Sequence, residues 1–208
     1  MTQPSPLDLV ALICSKLCHD LAGSVGAVNN GVELLAEETD PVMREEALRL
    51  VAQSARDAAR RLAFFRLALG ASGGLDDAMP AAELVRVAAD YFTGGRVTLL
   101  PPEGPLPAAL PKPLGKALLL GLWAMAGALP RGGQVRLVAG GDDWRIEAAG
   151  AMVRVPDALS AGLNAGAAAL PDDPNAALAR MARDLAMAAG HAVILEITET
   201  AASLRLRR

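Results

Sequence analysis

The residues with most chemistry in them are His19 and Asp20, in the stretch Leu17-Cys18-His19-Asp20-Leu21-Ala22-Gly23. An imidazole is a nitrogen nucleophile. A carboxylate beside it can accept the N–H of one ring nitrogen and leave the other bare. Consecutive helical residues do not face each other, so this contact needs a suitable pair of rotamers. The surrounding pattern is a heptad: Leu7, Cys14, Leu21, Val28 and Leu35 occupy one seam position, and Val10 and Leu17 the other before it weakens at Ser24 and Gly31. On that helix His19 points almost directly away from the seam. Taken alone it reads as a solvated surface residue, and Asp20 as a surface acid. Held outward on a rigid helix, however, the pair suits a group that another protein must touch.

Cys14, Cys18 and His19 do not make a metal site. Cys14 lies on the seam and His19 opposite it, so they share no centre, and the cysteines read as core residues. Placed one helical turn apart, they also argue against a disulfide framework and for a reducing cytosol. His191, at the start of a strand, reads as structural. The net charge of −3, with basic residues scattered along the chain, gives no support for nucleic acid as a partner, and none is expected. Ala117 to Pro130 is the most apolar run and is too short for a bilayer, and residues 1–6 lack the pattern of a signal peptide. The expected setting is soluble and cytoplasmic, with no membrane contact.

Aromatic residues are only 3% of the chain, so the core must be built from small aliphatics, which favours helices. Residues 1–70 read as an antiparallel helical hairpin. Pro6 opens the first helix, which runs to about Glu38; Thr39-Asp40-Pro41 is the turn. The second helix repeats the heptad with Leu48, Ala55, Leu62 and Leu69, and with Val51, Ala58 and Phe65. Two helices cannot bury both seams, so a second hairpin must complete a four-helix bundle, and the chain is expected to be a homodimer. Residues 71–75 read as a linker. Residues 76–208 read as an α+β sandwich with helices on one face of a mixed sheet. Its expected helices are Pro80 to Tyr91, Lys112 to Leu129 and Asn175 to Ala189. Its expected strands are Arg96 to Leu100, Gln134 to Ala139, Trp144 to Ala149, His191 to Ile197 and Ala202 to Arg207.

His19-Asp20-Leu21 followed by small and polar residues resembles the H-box of sensor histidine kinases. The second half is similar in element order to the kinases' ATPase-like domain, with Leu129-Pro130-Arg131-Gly132-Gly133 as a matching junction. The departures matter more. Counting back from Pro130, the kinase positions that hold magnesium fall on Leu120 and Ala124, which cannot coordinate a hard cation. After the Trp144 strand the chain reads Ala148-Ala149-Gly150, without the aspartate that binds adenine. Where a glycine-rich phosphate loop belongs, Pro171-Asp172-Asp173-Pro174 removes backbone donors and repels phosphate. No bound ATP or other cofactor is expected.

A phospho-accepting hairpin joined to such a degenerate ATPase-like domain resembles the ChpT-type histidine phosphotransferases of alphaproteobacteria. The segment Gly26-Ala27-Val28-Asn29-Asn30-Gly31-Val32-Glu33-Leu34-Leu35 carries that resemblance most specifically. It implies a two-component phosphorelay in cell-cycle signalling. Phosphoryl would pass from the receiver domain of a hybrid histidine kinase to His19, and on to response regulators of CtrA-like and CpdR-like kind. Magnesium (Mg2+) would come on the receiver. Asp20 would fix the His19 tautomer. Ala22, Gly23, Gly26, Ala27 and Asn30 would form a low docking surface, since exposed helical glycines cost about 1 kcal/mol each against alanine and need a return. Gly23 stands where kinases often carry a residue that assists dephosphorylation, which implies little phosphatase activity. Arg56 and Arg60, outward on the second helix, would steer a receiver's acidic pocket if they are not simply solvated. Two other functions compete. A non-catalytic adaptor or inhibitor that docks kinases or receivers would tolerate His19→Ala, and a divergent ATP-using kinase is disfavoured by Leu120, Ala124 and Ala148.

Overall fold

The computed structural model of the protein describes residues 5–70, 74, 77–164 and 172–208. Helix α1 spans Pro6–Glu37. Ser5 starts it with a reciprocal capping box: its hydroxyl accepts from the Asp8 N–H at 3.2 Å while Asp8 accepts from the Ser5 N–H at 2.8 Å. Helix α2, Pro41–Leu69, begins on Asp40, whose carboxylate accepts from the Val42 N–H at 2.9 Å. The two helices pack antiparallel as expected. They meet tightly at Gly31, the one fully buried residue of α1, where any Cβ would collide with Val51.

The second half contains short elements that the sequence pattern did not announce. Strands β1 (Ala78–Pro80) and β3 (Ala109–Pro111) pair with each other antiparallel, flanking helix α3 (Ala81–Phe92) and strand β2 (Val97–Leu99). Helix α4 (Lys112–Gly127) is followed by the hairpin β4 (Gly133–Gly140) and β5 (Asp143–Ala149). Helix α5 (Asp157–Leu163), also unannounced, precedes α6 (Pro174–Ala188), β6 (Ala192–Ile197) and β7 (Ala201–Arg207). The five-stranded sheet has the order β2-β4-β5-β7-β6, with β2 parallel to β4 and the other pairs antiparallel. Gly132 and Gly133, with φ of 81° and 151°, let the chain enter β4 in close contact with the Arg96 and Ala149 carbonyls.

The sheet alternates cleanly. Val135, Leu137, Ile146, Ala148, Leu204 and Leu206 face the helices and are buried, while Arg136, Arg145, Glu147 and Arg205 face out. Helix α4 runs through the centre of the domain, apolar on all sides and buried from Leu114 to Leu122. Lys116 lies within that run and donates to the Gly70 carbonyl at the end of α2. The hairpin joins this core directly: Phe64, Phe65 and Ala68 of α2 belong to the same buried cluster as Leu84 of α3 and Leu118 of α4. The expected linker falls almost wholly outside the described residues.

Two expectations need correcting. Cys14 and Cys18 are both exposed and free in the single chain, because α2 covers a narrower strip of α1 than the heptad seam occupies. The run from Ala117 lies on the more apolar helix, α4, but α1 is twice as long and is the helix that bears on a membrane. By length and composition α1 reaches what a membrane span requires, with a mean hydropathy of 1.3 in its best window.

Candidate functional site

Outward projection of His19 follows from the heptad, and its side chain is 84% exposed. Asp20 turns inward beside it and is 10% exposed, with Oδ1 at 3.2 Å from His19 Nδ1. The adjacent pair therefore adopts the rotamers that consecutive helical residues need in order to touch. Nε2 is the ring nitrogen left facing away from the carboxylate. Lys16, one turn earlier on α1, donates to the same Oδ1. From α2, Arg61 donates through Nη1 to the Asp20 carbonyl oxygen at 2.8 Å and holds the two helices in register at this level.

Beneath Asp20 the hairpin meets the second half of the chain in a cleft of about 350 Å³, lined by Lys16, Asp20 and Arg61 and by Tyr91 and Trp123. The Lys16 ammonium sits 5.2 Å above the indole of Trp123. Tyr91 stacks on Phe64 with ring centroids 4.2 Å apart, and lines the cleft together with Trp123. Burial pushes that phenol up to about 12, and the Asp20 carboxylate pushes the same way; Arg61 and the neighbouring Trp123 oppose them.

Of the small residues beside His19, Ala22, Gly23 and Asn30 are exposed as expected, whereas Gly26 and Ala27 are half-buried. A Cβ at Gly23 or Gly26 would meet nothing within 4 Å, in contrast to Gly31. Packing within this chain gives no reason for either glycine. Arg56 is exposed and bonds Gln53 at 3.2 Å, while Arg60 is half-buried and pairs with Asp57 at 3.3 Å. Both are engaged on their own helix; the arginine that reaches the histidine's neighbour is Arg61.

Sequence reasoning missed Lys16, Arg61, Tyr91 and Trp123. For Lys16 a signal existed, since it stands four residues before Asp20, the spacing of a helical ion pair. Leu120 and Ala124 are both buried, each about 1% exposed. The Asp173 carboxylate caps α6, accepting from the Asn175 N–H at 2.7 Å; Pro171 lies outside the described residues. α5 packs against α6 so closely that a Cβ on Gly162 would come within 2.6 Å of Ala179 Cβ. His191 is buried and bridges two carbonyls, Nδ1 at 2.9 Å from Ala189 and Nε2 at 2.9 Å from Asp142.

The sequence pattern of the family described as "Histidine phosphotransferase C-terminal domain" matches residues 81–201. The chain is 41% identical over 177 residues to the "Protein phosphotransferase ChpT" of Brucella abortus (strain 2308), covering 82% of this chain and 79% of that protein. Its fold is similar to the solved structure of a bacterial phosphotransferase, with a TM-score of 0.85 and 32% identity, over 99% of this chain and 98% of the other.

Proposed function

The chain belongs to the ChpT-type histidine phosphotransferases, enzymes of the phosphorelay, and we propose that His19 Nε2 is the atom that carries the phosphoryl group. One observation carries this reading: Nδ1 faces the Asp20 carboxylate at 3.2 Å while the ring stands 84% exposed. With its proton on Nδ1, the neutral imidazole presents the Nε2 lone pair to an incoming aspartyl phosphate. An N–P bond forms, the P–O bond to the receiver's aspartate breaks, and that aspartate leaves as a carboxylate. The ring becomes cationic, and its Nδ1 proton, donated to Asp20, stabilises that charge. Transfer onward is the same step reversed onto a second receiver.

The donor is the receiver domain of a hybrid histidine kinase, and the acceptors are response regulators. Mg2+ arrives with the receiver, and this chain binds neither ATP nor metal. The exposed row of Ala22, Gly23 and Asn30, extended by the half-buried Gly26 and Ala27, lets a receiver helix approach His19 closely, and the open space over Gly23 and Gly26 supports that reading. Arg56 and Arg60 add positive charge at the edge of the same face. Exposed Leu7, Val10, Val25, Val32, Leu48 and Leu62 support a homodimer built as a four-helix bundle. That dimer would cover the apolar face of α1, consistent with a soluble protein of the cytoplasm.

The test is to mix the protein with a phosphorylated receiver and measure acid-labile phosphate on it. Wild-type protein is labelled and His19→Ala is not. No label on wild-type protein with any cognate receiver sinks the proposal. An unlabelled protein that still bound receivers would be an adaptor.

A further inference from the structure

We propose that Lys16 is a positioning residue for His19, and that the second half of the chain acts on the phospho-accepting ring through Trp123 and Lys16. The proposal rests on the phosphotransfer reading above. An i, i+4 lysine–aspartate pair on a helix surface is ordinarily a weak, solvated contact. This one differs in three ways.

It is sheltered, with Lys16 and Asp20 side chains 17% and 10% exposed. It converges on a single oxygen, because the Oδ1 that faces His19 Nδ1 also accepts from Lys16. It is also braced from the far side, where the Lys16 ammonium rests 5.2 Å over the Trp123 ring. Trp123 is itself held: it stands on the buried helix α4 and lines the same cleft as Tyr91, which is stacked on Phe64 of α2.

The sequence of contacts is therefore α4 indole, α1 ammonium, α1 carboxylate, imidazole. Lys16 fixes where Oδ1 sits. Oδ1 in turn selects the ring tautomer protonated on Nδ1 and keeps Nε2 bare. Without Lys16, Asp20 retains its charge but loses the contact that keeps its oxygen against Nδ1. This gives the second half of the chain a task in the chemistry itself, separate from any part in binding partners.

The experiment uses the full chain carrying 15N-labelled histidine. Nitrogen NMR reads the His19 tautomers in the unphosphorylated protein, and rapid quench reads phosphoryl transfer from a phosphorylated receiver. Lys16→Met is expected to move population toward the tautomer protonated on Nε2 and to slow transfer about tenfold, the lower end for losing a supporting partner. Lys16→Arg restores both readouts. Trp123→Leu, which leaves Lys16 in place, shifts both in the same direction by a smaller factor. A Lys16→Met protein with wild-type tautomers overturns the proposal even if transfer slows, because Lys16 would then act on the phosphoryl group directly. Failure of every receiver to label wild-type protein would instead overturn the phosphotransfer reading, while the tautomer measurement would still test Lys16.

Discussion

Tyr91 is the only tyrosine in the chain, so its ionisation can be followed without interference from any other phenol. Burial at the junction of α2, α3 and α4 pushes it from an ordinary value of 10.0 up to about 12, with Asp20 adding to the effect. In the unfolded chain the phenol releases its proton near 10. In the folded protein it keeps that proton until about 12. Between those values the folded state binds more protons than the unfolded state, so stability must fall as pH rises. The contribution is fully present below pH 10 and gone above about 12. Two pH units at about 1.4 kcal/mol each make the loss about 2 to 3 kcal/mol. Two measurements check this. Near-ultraviolet absorbance of the native protein should show tyrosinate forming only well above pH 10. Denaturant melts of wild type and Tyr91→Phe across the alkaline range should show the wild type losing that stability relative to the variant. A native tyrosine that titrates near pH 10, or a variant whose alkaline loss parallels the wild type, would show that the phenol is not shielded as described.

Lys116, whose burial and whose neighbour Lys112 both lower its proton affinity, acts in the opposite sense: wild type should gain stability relative to Lys116→Met as pH rises toward 10.5, and a flat difference would refute the burial argument. Gly23→Ala meets no neighbour, so it should raise stability by up to about 1 kcal/mol through helix propensity while slowing transfer from a receiver; unchanged transfer would remove this position from the docking face. Gly31→Val should destabilise by about 2 kcal/mol or more in thermal melts, since it drives a side chain into Val51. Leu62→Lys should convert the proposed dimer to monomer by light scattering, and an unchanged mass would place the interface elsewhere.

The hairpin and the β4–β5 and β6–β7 pairs were legible because each repeats a clear period, of seven residues or of two, over a long enough stretch. β1 and β3 were not, because three residues ending in proline carry no period and pair across some thirty residues of intervening chain. α5 was hidden because its seven residues contain a serine and a glycine, and Gly162 is explained only by contact with α6. The choice of Arg56 and Arg60 over Arg61 illustrates a limit of helical reasoning: one residue rotates a side chain by about 100°, so a small error in the register between two helices exchanges the inward arginine for an outward one. Lys16 was within reach through its spacing to Asp20. Trp123 was not, because nothing local to α4 says that its indole will lie under an ammonium from α1.

The shared burial of Phe64, Phe65 and Ala68 with Leu84 and Leu118 bears on how such a protein could be re-engineered. A hairpin excised at Gly70 would expose two phenylalanines and lose the lysine that closes the end of α2. Chimeras between relatives should therefore exchange the last turns of α2 together with the faces of α3 and α4 that receive them. In this chain the hairpin is not a cassette that can be cut after Gly70, and sequence drift in one half must be tolerated by the packing of the other.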